Sequence, residues 1–459
     1  MSNLFEQFIV WLWNRHISRR NRTAWAGALV LGLLLADGQA SRHPVQIGER
    51  KRTEHIALLG KTGAGKSSLL RFMARQDIEQ GRGFCFFDLH GDATPALLAL
   101  IADQQNKTGE DFTQRVIVIE PGDPEFSVGL NVLEQRNAQH SFQQIAEFAA
   151  LLRRRWHLDS FGARTEELLR NSLQALSAAN WTLLELSRFL IDGSFRSACV
   201  SRSTNAEVKE YFGARYDRAS ESMQAVYRDA ILNKVSAFTA DPRFGHILGQ
   251  RQSTFSLAEA IEQGFWILLN LDKGRLGEEA STLGSLFLTK LKNALFARRS
   301  RNLFSLYCDE IQNLVTIDSG LDSLLSEARK FGISICTANQ FLDQYPVQMR
   351  SAILAIGTHI FFQLSSVDAD RIASALGGGR SLAEILKNLP QRHMVVKVGA
   401  SRPVRAVVPK IETARINFTD LYNGCRERWA RRRSDVESDI RSRAMVADRV
   451  EQGGLDEWS

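Results

Sequence analysis

Short apolar runs recur along the chain, and stretches of helical periodicity separate most of them. The runs are continuous rather than alternating, which is typical of strands buried on both faces of a sheet. Helical segments between such strands favour crossover connections, so the pattern predicts an α/β fold with a mostly parallel sheet. One predicted strand is the apolar run that ends directly before Gly60. The others are 26–34, 44–48, 84–88, 116–120, 265–271, 304–308, 333–336 and 358–364, with a closing hairpin at 394–408.

The strand pattern stops between Val132 and about Ala260, where apolar residues recur at helical spacing. One helix is predicted to begin at Thr165, and another to begin at Thr182 and end at Gly193. An all-helical insertion therefore interrupts the sheet domain. The predicted division is a basic amphipathic segment at 1–25, the first part of the sheet domain with an N-terminal β-hairpin at 26–135, the all-helical insertion at 136–260, the second part of the sheet domain at 261–420 and a charged tail at 421–459.

The composition is that of a soluble globular protein, with 44% hydrophobic and 24% charged residues among 459. A net charge of +7 favours polyanionic partners, although a charge spread over this length does not by itself indicate nucleic-acid binding. The five cysteines show no CxxC spacing, and three lie in apolar runs. We therefore expect reduced, buried thiols in a cytoplasmic protein.

One Gly-rich turn joins an apolar strand to a helix in "HIALLGKTGAGKSSLLRFMARQ". It matches the phosphate-loop pattern, in which glycines turn successive backbone N–H groups toward phosphates at the positive end of a helix. Lys66 is predicted to reach the β- and γ-phosphates of ATP, and the Ser67 hydroxyl to ligate Mg²⁺. The predicted loop comprises Gly60, Lys61, Thr62, Gly63, Ala64, Gly65, Lys66, Ser67 and Ser68.

Two adjacent acids, Asp309 and Glu310, follow the predicted strand 304–308. In a nucleotide hydrolase Asp309 would hold Mg²⁺ and its water shell, and Glu310 would polarise the attacking water. Two acids after a strand also fit an ordinary helix N-terminus, where the helix dipole favours negative charge. The phosphate loop upstream favours the catalytic interpretation.

Ligands of parallel sheets bind at the carboxyl ends of the strands. Gln340 lies at such an end, and Arg329 lies on the predicted helix before that strand. Both side chains are placed to reach a phosphate. The alternative is that both are ordinary polar residues of the protein surface. Asp88 also lies at this edge, either supporting the metal or the loop or acting as a satisfied structural carboxylate. We do not expect the nearby His90 to bind a metal.

The order of these motifs resembles the conjugative coupling proteins of type IV secretion and their HerA/FtsK-like relatives. The resemblance rests on "HIALLGKTGAGKSSLL", "FCFFDLHGD", "GLNVLE", the helical insertion, "LYCDEIQNL" and "EARKFGISICTANQ", and it covers about residues 26–410. It implies a RecA-like P-loop ATPase core, a homo-hexameric ring and ATP-driven pumping of DNA. By this resemblance Asp309 and Glu310 are the Walker B pair, Gln340 is the γ-phosphate sensor and Arg329 is an arginine finger.

Three functions agree with these motifs. The leading one is a coupling protein that delivers DNA to a secretion channel, with relaxosome or channel proteins as partners. The second is a soluble HerA-like translocase for DNA processing or defence, working with a nuclease. The third is an ATP-regulated scaffold that recruits protein substrates to a secretion pore without moving DNA. DNA-stimulated ATP hydrolysis separates the first two from the third.

The N-terminal apolar stretches 4–13 and 24–36 are both shorter than the roughly 20 residues that a spanning helix needs. Membrane-bound coupling proteins usually begin with two spanning helices, and this chain departs from that pattern. The first twenty residues fit either a basic amphipathic helix on a membrane or partner, or a helix packed on the protein. We expect a cytoplasmic protein with peripheral contact at the inner face of the membrane. The tail after Tyr422 is predicted to be a solvated helix.

Overall fold

The structure is a computed structural model that describes residues 28–36, 38–134, 141–158, 162–239, 241–314, 321–345, 347–410 and 416–453. The predicted N-terminal segment at 1–25 lies outside these residues. The chain divides into two compact units, which we call the sheet unit and the helical unit. The sheet unit comprises Met1–Val116, Ala258–Leu269 and Ala294–Leu421, and the helical unit comprises Ile117–Leu257, Asn270–Asn293 and Tyr422–Ser459.

Most of the described strands fall where continuous apolar runs predict them, whereas the short strands Phe126–Ser127 and Arg431–Arg432 were not predicted. In chain order they are β1 (Leu29–Ala36), β2 (Gln39–Ile47), β3 (Ile56–Leu59), β4 (Gly83–Asp88), β5 (Val116–Ile119), β6 (Phe126–Ser127), β7 (Trp266–Asn270), β8 (Phe304–Asp309), β9 (Ile333–Asn339), β10 (Thr358–Phe361), β11 (His393–Val398), β12 (Val404–Val407) and β13 (Arg431–Arg432).

The described α-helices occupy most of the chain between these strands. In chain order they are α1 (Glu49–Arg52), α2 (Lys66–Glu79), α3 (Ala93–Thr108), α4 (Ser141–Arg155), α5 (Ala163–Ala178), α6 (Leu186–Ile191), α7 (Gly193–Arg202), α8 (Ala206–Glu210), α9 (Glu221–Thr239), α10 (Pro242–Leu248), α11 (Leu257–Glu262), α12 (Lys273–Leu276), α13 (Glu279–Ala297), α14 (Leu321–Glu327), α15 (Val347–Leu354), α16 (Ser366–Ala375), α17 (Gly379–Lys387), α18 (Thr419–Trp429) and α19 (Arg433–Gly453).

Among the described residues, eleven strands form one sheet in the order β2-β1-β12-β11-β10-β3-β9-β8-β4-β7-β5. The central strands from β10 to β4 pair in parallel, and the strands from β10 to β2 pair antiparallel. Every residue of β3, β8 and β9 is buried, because a parallel sheet carries helices on both faces. The predicted α/β fold with a mostly parallel sheet is confirmed.

The N-terminal hairpin is tighter than the sequence predicts. The predicted strands end at residue 34 and resume at residue 44, but β1 continues to Ala36 and β2 already begins at Gln39, which pairs with Ala36. The pair Asp37–Gly38 is a strong hairpin-turn sequence, and Gly38 adopts a φ of +79°. Polar residues 39–43 suggested a loop, but they are an edge strand whose side chains are largely exposed.

Two further strands differ in length from their predictions because long-range backbone pairing decides where they end. Strand β9 continues past Cys336 to Asn339, since Leu59 of β3 pairs with Asn339. Strand β10 ends at Phe361 rather than residue 364. The backbone beyond it still bonds to β3 and the Gly-rich loop, since the Phe362 amide donates to the Leu59 carbonyl at 2.8 Å and the Gln363 carbonyl accepts from the Lys61 amide at 2.8 Å.

A buried ion pair between α1 and α2 is also hydrogen-bonded to β8. The Arg52 guanidinium is fully buried and donates two 2.7 Å hydrogen bonds, one to each carboxylate oxygen of Asp77. It also donates to the hydroxyls of Ser305 and Tyr307, and the Tyr307 hydroxyl donates to Asp77 at 2.6 Å. This network ties the helix that begins at Lys66 to the strand that ends at Asp309.

Replacing Arg52 by methionine is expected to lower the free energy of unfolding by about 3–5 kcal/mol, because the Asp77 carboxylate stays buried without its charge partner. Urea unfolding followed by circular dichroism measures the change. The matched control is Arg75→Met. It removes the partly exposed 2.8 Å ion pair between Arg75 and Glu79 on α2, the helix that also carries Asp77. The control is expected to cost about 0–1 kcal/mol. Equal losses for the two variants would contradict the account.

In the helical unit, the regular secondary structure of the described residues between Ser141 and Leu248 is helical, as predicted, with turns between the helices. A π-helical turn at Tyr211–Tyr216 packs the Phe212 ring against Phe189 of α6. The strands β6 and β13 form a separate antiparallel pair. The domain boundaries at 135–136 and 260–261 stay a prediction, since the two compact units are cut elsewhere.

The tail is helical, as predicted, but it is not a fully solvated helix. Val436 of α19 is completely buried, and the Glu437 carboxylate lies 3.1 Å from Nε2 of the buried His246. Arg443 forms a 2.9 Å ion pair with Glu185. Several charged side chains of the tail are therefore paired within the helical unit rather than solvated.

The five cysteines are buried and form no disulfide, in agreement with the sequence prediction. Within the described ranges, we find no helix long and apolar enough to cross a membrane.

Candidate functional site

The Gly-rich loop connects β3 to α2 in a conformation that requires glycine. Gly63 and Gly65 have φ values of +75° and +119°, and Gly65 caps the N-terminus of α2. A side chain at Gly60 would bring its Cβ to 2.5 Å from the Cβ of Phe362. The loop therefore holds its backbone close to the neighbouring strand end, with the helix N-terminus facing the space above it.

Lys66 is the first residue of α2, and its side chain is folded back over the loop. The ammonium group donates to the carbonyl oxygens of Gly60 at 2.6 Å and Lys61 at 3.1 Å. Burial lowers the pKa of Lys66, and the nearby carboxylates of Asp309 and Glu310 oppose this shift. A cation held at the mouth of a Gly-rich loop is suited to binding phosphate oxygens.

Ser67 and Asp309 meet across the sheet edge, as the sequence predicts. The Ser67 hydroxyl donates to Oδ2 of Asp309 at 2.6 Å, and only 6% of Asp309 is exposed. Burial raises the pKa of Asp309, while the bond from Ser67 acts in the opposite direction. A hydroxyl and a carboxylate at this separation are the hard oxygen ligands that Mg²⁺ prefers, so this pair fits the ion.

The Glu310 carboxylate is held by three side chains. Oε1 accepts a hydrogen bond from Nε2 of Gln340 at 2.8 Å, and Oε2 accepts one from Nδ2 of Asn313 at 3.1 Å. Nε2 of His90 lies 3.7 Å from Oε1, in an ionic contact longer than a hydrogen bond. The contact with His90 and the bond from Gln340 lower the pKa of Glu310 to about 2, although burial opposes the shift. Glu310 is therefore ionised at neutral pH.

The backbone of Glu310 is in the left-handed region, with a φ of +52°. This conformation is uncommon for a residue other than glycine, asparagine or aspartate, and it concentrates at functional sites. It turns the chain directly after Asp309, so the two adjacent carboxylates face different groups. Asp309 accepts a hydrogen bond from Ser67, and Glu310 accepts hydrogen bonds from Gln340 and Asn313.

Arg329 is the predicted site residue that the structure does not bring to this cluster. It lies on a 3₁₀ turn, Ala328–Phe331, rather than on the α-helix, which ends at Glu327. Its guanidinium is half exposed and lies 3.5 Å from Oε1 of Glu54. Within its own chain, Arg329 therefore pairs with an acid that is remote in sequence.

Asp88 is a structural carboxylate, one of the two interpretations that the sequence left open. It is almost fully buried and accepts hydrogen bonds from the Gly91 amide at 2.9 Å and from the amide and hydroxyl of Thr94 at 2.7 and 2.8 Å. These bonds fix the loop between β4 and α3. That loop carries His90, whose pKa rises to about 9 mainly because of the contact with Glu310.

Sequence reasoning missed two groups at this site. It considered His90 only as a metal ligand. The position of His90 between Asp88 and Asp92, at the sheet edge shared by the other site residues, was a signal in the sequence that His90 lies at the site. It missed the loop before β11 altogether. The side-chain amide of Gln391 donates to the Gly63 carbonyl at 3.1 Å, and the backbone N–H of Arg392 donates to the Ala64 carbonyl at 2.8 Å. Arg392 has a φ of +66°, and no local sequence pattern points to this contact.

A Gly-rich loop between a parallel strand and a helix, with a carboxylate pair on a nearby parallel strand, defines a P-loop protein with a RecA-like core. Strand β9, which ends at Asn339 directly before Gln340, lies between these two strands in the sheet. The chain belongs to the family described as the type IV secretion-system coupling protein DNA-binding domain, and the sequence model of this family matches residues 42–401. The resemblance to coupling proteins is thereby confirmed.

Solved structures of similar proteins confirm the fold. The bacterial conjugative coupling protein TrwBΔN70 in an unbound form is 16% identical, with a TM-score of 0.59 over 88% of this chain and 93% of that chain. The plasmid coupling protein TrwB with the GTP analogue GDPNP is 17% identical, with a TM-score of 0.59 over 85% and 97%. VirB4 of Thermoanaerobacter pseudethanolicus is 16% identical, with a TM-score of 0.53 over 84% and 97%. No curated protein sequence matches the chain significantly.

Proposed function

We propose that this protein is an ATP-driven DNA-translocating ring ATPase that delivers DNA to a type IV secretion or conjugation system. The observation that carries the proposal is the meeting of Lys66, the Ser67–Asp309 pair and the Glu310–Gln340 pair at one sheet edge. These groups occur in a chain whose family is described as DNA-binding. Related TrwB structures contain ADP with Mg²⁺ and an ATP analogue, which supports the same ligands here.

The chemistry follows from the positions of these side chains. The loop from Gly60 to Ser68 and the Lys66 ammonium bind the phosphates, and Ser67 with Asp309 would hold Mg²⁺. When bound, the ion neutralises charge that develops on the transferred phosphoryl group. Glu310 orients and polarises the attacking water, since its carboxylate is ionised. Gln340 contacts the γ-phosphate and links its presence to the position of Glu310.

The same proposal requires a homo-hexameric ring, in which Arg329 reaches the site of the next subunit. Half of the Arg329 side chain is exposed, so the guanidinium is accessible from outside the chain. Relaxosome and secretion-channel proteins are the proposed partners. We place the protein in the cytoplasm at the inner face of the membrane, where the basic residues Arg15, Arg19, Arg20 and Arg22 favour contact with anionic lipids.

DNA is expected to stimulate ATP hydrolysis and to bind through its phosphates with little sequence preference. The logarithm of the affinity should fall linearly with the logarithm of the salt concentration, because each neutralised phosphate releases counterions. Proteins with several such contacts lose on the order of 10³-fold in affinity between about 50 and 200 mM salt. ATPase rates and fluorescence anisotropy, measured with single-stranded and with double-stranded DNA, check both expectations.

The control for that experiment is Lys66→Ala, whose hydrolysis should stay at background with either DNA. A salt-independent affinity, or binding to neither form of DNA, would contradict translocation and favour a scaffold that recruits proteins.

A further inference from the structure

His90 and Gln340 both lie against one oxygen of the Glu310 carboxylate. Nε2 of Gln340 is 2.8 Å from Oε1 and Nε2 of His90 is 3.7 Å from the same atom, whereas Asn313 binds the other oxygen. Two partners on one oxygen restrict the direction in which the carboxylate can turn.

Gln340 has a second task in the proposed function, since it is the residue that contacts the γ-phosphate. Its side-chain amide nitrogen carries two N–H groups and already donates to Oε1 of Glu310, and a γ-phosphate would attract the same amide. Movement of Gln340 toward phosphate weakens its hold on Oε1. His90 approaches Oε1 from a different loop and stays beside it when Gln340 moves.

The position of His90 is set by the fold rather than by the nucleotide. Strands β4 and β8 pair in parallel with Phe87 opposite Cys308, so the residues that follow both strands leave the sheet side by side. Asp88 anchors the loop through its bonds to Gly91 and Thr94. The His90 side chain itself is about half exposed, so its replacement does not open a cavity in the core.

We propose that His90 is a positioning residue for hydrolysis, which keeps the Glu310 carboxylate oriented toward the attacking water while Gln340 engages the γ-phosphate. This inference rests on the proposed function, in which Glu310 polarises the water. His90 itself contacts neither the phosphate nor the water in this assignment. The carboxylates of Asp309 and Asp92 also lie near the imidazole and make its surroundings negatively charged.

The test compares His90→Ala with His90→Gln, which restores an N–H donor at about the reach of Nε2. For His90→Ala we expect kcat to fall roughly 10- to 100-fold, because a misplaced reacting group of this kind costs up to about 10²-fold. The KM for ATP and the affinity for the fluorescent analogue mant-ATP should stay unchanged. His90→Gln should recover most of kcat. The control is Arg75→Ala on the exposed face of α2, which should keep the wild-type kcat.

A parallel measurement on Glu310→Gln separates failure of this inference from failure of the proposed function. If Glu310→Gln turns over as fast as the wild type, the role of Glu310 itself is wrong. If Glu310→Gln is inactive while His90→Ala keeps the wild-type kcat, Glu310 stands and the positioning role of His90 is overturned. A His90→Ala variant that loses mant-ATP affinity, or a His90→Gln variant as slow as His90→Ala, would also overturn it.

Discussion

Lys66→Ala is expected to reduce ATP hydrolysis to background and to weaken nucleotide binding. The Lys66 ammonium lies at the mouth of the loop, on the carbonyl oxygens of Gly60 and Lys61, and its removal takes away the charge that faces the β- and γ-phosphates. Steady-state ATPase rates and mant-ATP titration measure the two effects. Arg75→Ala on the exposed face of the same helix is the control and should hydrolyse ATP at the wild-type rate.

Glu310→Gln should separate binding from chemistry. The amide keeps the size of the side chain but cannot polarise water, so ATP should stay bound and unhydrolysed, with kcat lower by about 10²- to 10⁴-fold. A filter-binding assay with radiolabelled ATP distinguishes bound ATP from bound ADP. Equal turnover by the wild type and Glu310→Gln at saturating ATP would contradict the role given to Glu310.

Arg329→Ala is expected to lose nearly all hydrolysis in the assembled ring, although Arg329 lies outside the cluster of its own chain. Arginine fingers increase the rate by up to about 10³–10⁵-fold in the best-studied nucleotide hydrolases, which is an upper guide here. The contact with Glu54 does not prevent such a role. A half-exposed ion pair of this kind is worth at most about 1 kcal/mol, so Arg329 can leave it for a phosphate.

Mixing two inactive variants tests whether Arg329 acts on the neighbouring subunit. Rings that contain both Arg329→Ala and Lys66→Ala subunits include interfaces where an intact phosphate loop faces an intact Arg329. We expect ATPase activity to recover on mixing, with rings confirmed by native mass spectrometry. Lys330→Ala, the exposed neighbour, is the control and should be active alone. Mixed rings without recovery would place Arg329 at its own subunit's nucleotide, and an active Arg329→Ala variant would remove it from the site.

The sequence predicts those parts of the site that depend on local pattern and on parallel strands. A loop from Gly60 to Ser67 has one structural solution between a strand and a helix. Because the carboxyl ends of parallel strands share one edge, Asp309, Glu310 and Gln340 were expected to lie together, and the structure brings them within hydrogen-bonding distance of their partners.

The remaining features depend on contacts between distant residues. The sequence places His90 at the shared sheet edge, but periodicity does not give strand order, so the pairing of β4 with β8 that brings His90 to Glu310 was not predictable, and neither was the contact of Gln391 with Gly63. The Arg52–Asp77 pair was equally hidden, because charged residues are expected on the surface unless they are paired. The hairpin at Gly38 was misjudged for another reason, since the polar residues of an edge strand resemble a loop.

Displacement of an obstacle bound to DNA tests the central claim, ATP-driven translocation, most directly. The substrates are a duplex carrying a triplex-forming oligonucleotide and a single strand carrying biotin-bound streptavidin. The account predicts that the wild type removes the obstacle from at least one substrate in the presence of ATP and Mg²⁺, and that Lys66→Ala and Glu310→Gln do not. Hydrolysis of ATP by the wild type with neither obstacle displaced would contradict it.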